Sequence, residues 1–350
     1  MRRSALGNPG VLAGIASAVL FGAGTPVAKL LLGEVSPWLL AGLLYAGSGI
    51  GLGLYRLVRR AQRVRLARAE ILPLAGAVFF GGVAAPVLLM LGLSGMPTSG
   101  ASLLLNAEAV ATALIAWVVF KENVDRRVAL GMLAIVAGAV VLSIQTGATE
   151  FWAIWPSLAI IGACVCWGID NNLTRMVALN DAVWLAAVKG GVAGPVNLAL
   201  AFALGASLPP IGIIAASMGV GLAAYGVSLV LFIVAMRHVG TARAGAYFSV
   251  APFFGAVVGV LFGEAVTWPL ILSVVLMAIG VALHLTERHE HPHTHDAVTH
   301  DHWHTHDDGH HDHEHATPVA AGTRHRHVHT HEPITHTHPH FPDAHHRHAH

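Results

Sequence analysis

Glu108 stands near the middle of the apolar run 97 to 119, two residues after Asn106. An acidic side chain at the centre of a membrane span costs about 2.5 to 3.5 kcal/mol on insertion scales. It is therefore expected to face a bundle interior or a water-filled cavity, where it can bind substrate or carry a proton; the alternative is a polar lock between helices. Lys189 lies about eight residues inside the run 181 to 204, too deep to reach the interface by extending its stem. A buried lone ammonium loses its proton or finds a carboxylate. Glu108 and Asp170 are the acidic residues within apolar runs, so either is an expected partner. Contact with an anionic or zwitterionic substrate, or a structural role, are the other readings of Lys189. Asp170, Asn171, Asn172 and Thr174 crowd the end of another apolar run, WGIDNNLTR. Asp170 and Thr174 share a helix face, while Asn171 points about 100° away. The cluster reads as an inner gate or substrate site, or as the place where the helix leaves the membrane.

A second chemistry is concentrated at the C-terminal end. Of 25 histidines, all but His238 and His284 lie beyond residue 286. The candidate metal ligands are His291, His293, His295, His300, His302, His304, His306, His310, His311, His313, His315, His325, His327, His329, His331, His336, His338 and His340. Neutral imidazole suits zinc, nickel, cobalt and copper, and HxH spacing in a flexible chain lets alternate side chains close around one ion. With about four ligands per tetrahedral ion, the tail would hold roughly three to six. Its composition cannot bury a core, so residues 286 to 350 are expected to be disordered without metal. A pH-sensing arm and incidental low complexity are the alternatives. Cys164 and Cys166 project about 200° apart on a helix and read as core fillers, with no disulfide framework or zinc ribbon.

The elements that must position these groups are transmembrane. Hydrophobic residues make up 55% of the 350-residue chain and Asp, Glu, Lys and Arg only 11%. Ten apolar segments are long enough to cross about 30 Å of hydrocarbon as helices. They span about 10 to 32, 37 to 58, 71 to 93, 97 to 119, 127 to 145, 151 to 173, 181 to 204, 211 to 236, 242 to 263 and 267 to 285. The first exceeds the ~7 to 15 residue core of a signal peptide and is expected to be retained. Alternate loops hold the arginines, from Arg56 to Arg68, Arg126 and Arg127, Arg175, and Arg237 and Arg243, while the others hold no Lys or Arg. The positive-inside rule then places both termini in the cytosol. Lys29, at an outer helix end, is expected to anchor at headgroups. Thr25-Pro26 invites a kink, and Gly255, Gly259 and Gly263 are expected to pack within the chain rather than between copies.

The halves are related. Residues 18 to 30, AVLFGAGTPVAKL, lie over 164 to 176, CVCWGIDNNLTRM, so that Phe21-Gly22 falls on Trp167-Gly168. Residues 103 to 124 match 246 to 266, ending on FKE and FGE. Each half is a five-helix unit, and because five is odd the second is threaded in the opposite sense, as in carriers that alternate access around a midplane site. The expected fold is therefore an all-α polytopic membrane protein, with ten helices in two inverted five-helix repeats and a disordered cytosolic tail. Its expected divisions are 1–145, 146–285 and 286–350.

On these motifs, residues 10 to 285 resemble the EamA-type branch of the drug/metabolite transporter superfamily. The resemblance implies a small-molecule carrier whose cavity is lined mainly by the first four helices of each half. The expected function is secondary transport, with export of a small polar, amino-acid-like metabolite by proton exchange. Glu108, Asn106, Asp170, Asn171, Asn172 and Lys189 are the candidate cavity and coupling residues. Efflux of nickel, cobalt or zinc, or metal buffering and sensing, are the alternatives. No catalytic constellation or nucleotide loop points to an enzyme. The fold should need no cofactor; the tail should bind zinc, nickel, cobalt or copper. Expected partners are the lipid bilayer, a small molecule or ion, and protons, with no nucleic acid and no predicted dimer. The expected location is a bacterial inner membrane.

Overall fold

The computed structural model describes residues 9–285 except 65, 121–125, 145–150, 179 and 240, together with 290–295, 298–304, 325–331 and 334–339. Two units separate, Met1–Glu287 and Arg288–His350.

The first unit is helical. Helices α1 (Pro9–Leu31) and α2 (Pro37–Val58) are followed by α3 (Arg68–Ala77) and α4 (Ala85–Ser94), which a π-helical turn at Val78–Ala84 joins into one rod. Then come α5 (Thr98–Leu104), α6 (Ala107–Val118), α7 (Arg126–Ile144), α8 (Phe151–Val177) and α9 (Ala182–Ala203). A second joined rod comprises α10 (Ile211–Val220), a π turn at Gly221–Val227 and α11 (Ser228–Val239). Helices α12 (Thr241–Phe248), α13 (Ala251–Leu261) and α14 (Trp268–Leu285) complete the unit. Among the described residues, seven helices or joined rods are long and apolar enough to cross a membrane. The other three expected spans coincide with shorter apolar stretches, 129–142 in α7, 251–261 in α13 and 268–283 in α14. The expected ninth span is split, because Pro252 in the first turn of α13 cannot continue the hydrogen-bond ladder from α12.

Helix starts follow local chemistry. Ser36 and Asp181 cap α2 and α9, accepting hydrogen bonds from the N–H of Leu39 at 3.4 Å and of Trp184 at 2.7 Å. Apolar side chains lie both inside and outside the bundle. Leu39, Leu40, Leu44, Leu89, Leu103, Leu104 and Ile160 are fully buried, whereas Leu57, Leu72, Val118, Ile211, Leu261 and Trp268 are exposed, as a lipid-facing surface requires. Lipid is as apolar as leucine, so close packing rather than hydrophobicity must hold such helices together. The α2–α9 crossing shows how: Gly49 and Gly190 meet backbone to backbone, and a Cβ on either would overlap the other helix. Gly255 and Gly259 pack against Ser102 and Ser99 of α5, within the chain as expected.

In the second unit four strands pair: β1 (Glu290–His295) with β4 (Ile334–Pro339), and β2 (Val298–His304) with β3 (His325–His331), both antiparallel. This corrects, for these segments, the expectation of a tail without regular structure. Histidine alternating with Thr, Asp or Val is a period-two pattern, which is the strand period. His306, His310, His311, His313, His315 and His340 lie outside the described residues.

Candidate buried polar site

The π turn of the third span sets the site. Ala85 donates its N–H to the carbonyl of Phe80, five residues back. The next residue is Pro86, which has no N–H to give Gly81 or Gly82. Those carbonyls must be satisfied from elsewhere in a medium without water. Tyr45 of α2 donates its hydroxyl to the Gly81 carbonyl at 2.5 Å, and Trp167 Nε1 of α8 donates to the same oxygen at 3.2 Å. Asn197 Nδ2 of α9 donates to the Gly82 carbonyl at 2.9 Å. One bulge is thereby tied to three helices. Glycine is required at Gly81 because a Cβ there would overlap the Asp170 carboxylate.

Beside this bulge lies a buried ion pair. Lys189 Nζ of α9 stands 2.5 Å from Asp170 Oδ1 and 2.7 Å from Oδ2 of α8. Thr174 Oγ1, one turn on, donates to Asp170 Oδ1 at 2.8 Å and accepts from Lys189 at 3.3 Å. The side chains of Lys189 and Asp170 are only 4% and 8% exposed, so each charge depends on the other for neutralisation. The sequence left Lys189 with two carboxylate candidates; geometry pairs it with Asp170.

Glu108 belongs to an adjoining network. It accepts a hydrogen bond from Asn171 Nδ2 at 2.8 Å, and the same amide donates to Thr112 Oγ1 at 3.3 Å. Asn172 Nδ2 donates to the carbonyls of Thr112 at 3.1 Å and Gly168 at 2.8 Å. The α6–α8 contact is close because Gly168 meets the backbone of Ala111 and Thr112. Asn106 stands at the break between α5 and α6, where its Nδ2 donates to Leu103 O at 3.1 Å, and its buried Oδ1 accepts no bond among the described residues. Five of the six predicted residues, Glu108, Asp170, Asn171, Asn172 and Lys189, thus fall on the facing surfaces of α6, α8 and α9, while Asn106 turns toward Met277 of α14, 3.6 Å away. Over the site lie aromatic rings: Phe21 meets Trp167 edge-on at 5.7 Å and Tyr225 at 5.8 Å, and Tyr225 lies 5.4 Å from Tyr45.

Tyr45, Gly81, Thr112 and Asn197 were not apparent from sequence. The one available signal was Pro86 placed four and five residues after a glycine pair inside an apolar run.

At one end of the bundle, two charges clamp the turn between α4 and α5. Lys29 donates to the carbonyls of Leu93 at 2.5 Å, Ser94 at 3.3 Å and Met96 at 3.1 Å, at the C-terminal end of α4. It is therefore a helix cap rather than a free headgroup anchor, because those terminal carbonyls have no partners of their own. Glu264 of the α13–α14 connection accepts from the N–H groups of Thr98 at 2.6 Å and Ser99 at 2.7 Å, at the start of α5. Burial alone would raise its pKa, but these hydrogen bonds outweigh that and hold it below the ordinary value. Its stabilisation is present above the unfolded-state pKa and lost as pH falls through the lower folded value. Glu264→Ala is expected to cost about 1 to 3 kcal/mol, read as a lower melting temperature in detergent. The gap from wild type should narrow in acid. At the opposite end, Arg56 pairs with Asp181 at 2.8 Å, Asn180 bonds Glu70 at 2.9 Å, and Arg237 donates to the carbonyls of Ala178 and Asn180.

Comparisons with known proteins agree with this architecture. The profile of the EamA-like transporter family matches the chain twice, at residues 8–144 and 154–286. An uncharacterized transporter of Methanothermobacter thermautotrophicus is 26% identical, with 71% of this chain and 77% of that one covered. A protein solved by crystallography has the same fold, with a TM-score of 0.62 at 17% identity over 79% of this chain and 95% of its own. With a double match spanning most of its length, the chain belongs to the EamA-like transporter family, and is an integral membrane transporter.

Proposed function

We propose that the protein is a secondary carrier that exports a small, amino-acid-like metabolite in exchange for protons, built as two inverted five-helix repeats. The observation that carries this reading is the buried Lys189–Asp170 pair beside Glu108, in the interior between α6, α8 and α9. A zwitterion presents the complementary charges. Its carboxylate can take Lys189 and its ammonium Asp170, replacing one internal pair with two external ones and sparing either charge from being stranded. Glu108, held by the neutral amide of Asn171 rather than by a cation, is the group left to carry the proton.

Several repeat features support inversion. The third and eighth spans each have a ten-residue α segment followed by a seven-residue π turn. The fourth and ninth both break near their middles, after Leu104 and after Phe248. Phe21 and Trp167, which the internal alignment superposes, touch each other, as residues beside a pseudo-twofold axis do. Alternating access would then work between the Lys29–Glu264 clamp at the outer end and the Arg56–Asp181 and Arg237 contacts at the cytosolic end. Both termini would lie in the cytosol of a bacterial inner membrane.

The histidine-rich tail favours a second element of function, binding of zinc, nickel, cobalt or copper, as regulator, buffer or feeder of a metal efflux route. The membrane body offers such cargo little: among the described residues no three His, Cys, Asp or Glu gather into a metal site. A vesicle transport screen across amino acids and divalent metals, with full-length protein and protein ending at residue 285, separates the readings. Amino-acid flux that survives removal of the tail is expected. Flux of metal alone, lost with Glu108→Gln, would replace the metabolite reading with metal efflux.

A further inference from the structure

We infer that the arginine-rich turn after α2 binds the headgroup phosphate of an anionic phospholipid through Arg59, Arg60 and Arg63. Orientation in the membrane asks only for positive charge on one side. Two features of this turn go beyond that requirement. The first is backbone conformation. Arg60 has φ 48°, in the left-handed region that favours glycine. It occupies the position past the helix end where glycine is usual: its N–H donates to Leu57 O at 3.1 Å, and the Ala61 N–H reaches back to Arg56 O at 3.0 Å. An arginine kept where glycine would fit without strain implies a use for its side chain. The second feature is how the turn is held and what it leaves free. Arg56 donates to Gln62 O at 2.8 Å and pairs with Asp181, the cap of α9, at 2.8 Å. Glu70, where the chain returns into α3, is taken up by the Ala67 N–H at 2.8 Å and by Asn180 at 2.9 Å. Arg59, Arg60 and Arg63 are exposed, and among the described residues none of them has an ion pair or a side-chain hydrogen bond.

Depth selects the ligand. Leu57 and Val58, just before the turn, are 74% and 80% exposed, and Leu72, just after it in α3, is 81% exposed. These apolar side chains face lipid on both sides of the turn. The guanidiniums between them therefore stand at headgroup level, where they meet phosphodiesters before bulk water. A guanidinium offers a planar fork of N–H donors that fits two phosphate oxygens at once. Each arginine near an anionic lipid surface contributes about fivefold in affinity. Because Arg56 ties the turn to the start of α9, a lipid held there also stabilises the fold, and melting temperature reads its binding.

The test titrates phosphatidylglycerol into the full-length protein in a neutral detergent and follows the melting temperature, with phosphatidylcholine and inorganic phosphate as comparison additives. Wild type should melt higher with phosphatidylglycerol and not with the other two. Arg59→Gln/Arg63→Gln should need about 25-fold more phosphatidylglycerol for the same rise. Arg126→Gln/Arg127→Gln, which removes as many charges from the start of α7, should stay within about twofold of wild type. Arg60→Gly should need about fivefold more lipid, yet its melting temperature without lipid should not fall, since glycine relieves the left-handed backbone. Equal losses in the two double variants would overturn the site and leave a diffuse attraction to basic loops. A rise produced equally by inorganic phosphate, or no response of wild type to phosphatidylglycerol, would overturn it as well.

Discussion

Lys189→Met is expected to be among the most damaging substitutions in the membrane body. It leaves the Asp170 carboxylate buried, with Thr174 as its remaining hydrogen-bond donor among those described. Removing one partner of a buried pair costs about 3 to 5 kcal/mol, far more than the net worth of the pair, because the surviving charge keeps its desolvation penalty. Folded yield and melting temperature should both fall sharply. The double variant Asp170→Asn/Lys189→Met removes both charges and should recover most of that stability. It should not recover transport, because no ammonium is left for the substrate carboxylate and no carboxylate for its amine. Recovery of transport in the double variant would make the pair a structural lock.

Gly190→Ala is the second large effect, and its neighbour supplies the contrast. At most helical positions alanine is better than glycine by roughly 0.5 to 1 kcal/mol through backbone entropy. Gly191 should show that gain, since a Cβ there meets nothing within 4 Å. At Gly190 a Cβ would overlap the backbone of Gly49 and lie 2.7 Å from the Tyr45 carbonyl, neither of which can rotate away. The α2–α9 crossing must open, at a cost at or beyond the upper end of about 1 to 3 kcal/mol for overpacking. Opposite signs at adjacent residues, read from melting temperatures of the two variants, would confirm that glycine is used here for helix approach. Because Tyr45 reaches the Gly81 carbonyl from the same helix, Gly190→Ala should also impair transport.

These two sites show what the sequence disclosed and what it concealed. Hydropathy and charge located helix at every expected apolar segment, since a chain without water has few other ways to satisfy its backbone. Intramembrane charge singled out Glu108, Asp170 and Lys189 for the same reason: such groups are costly and must be partnered. Which carboxylate met Lys189 depended on helix rotation, which periodicity in a nearly all-apolar rod does not encode. The break near Asn106 was hidden because apolar composition runs across it unchanged, and the one near Ser249 had only Pro252 to mark it. Neither π turn was visible, because the shift to five-residue bonding leaves no compositional trace apart from Pro86. Lys29 and Glu264 were undervalued for a different reason. Their partners are backbone carbonyls and N–H groups of a distant turn, and main-chain partners leave no mark on side-chain spacing. In the tail, histidine at alternate positions suits chelation and strand pairing equally, so residue type does not separate the two.

In the proposed mechanism Glu108 moves the proton while the Lys189–Asp170 pair receives the substrate. Its most direct test is proton flux in liposomes that carry a pH-sensitive dye inside and the purified protein in the membrane, challenged in turn with the standard amino acids. Wild type should shift internal pH with at least one of them. Glu108→Gln should still be stabilised by that amino acid in a melting assay, yet move no protons with it. Proton movement by Glu108→Gln equal to that of wild type would contradict the assignment of the proton to Glu108.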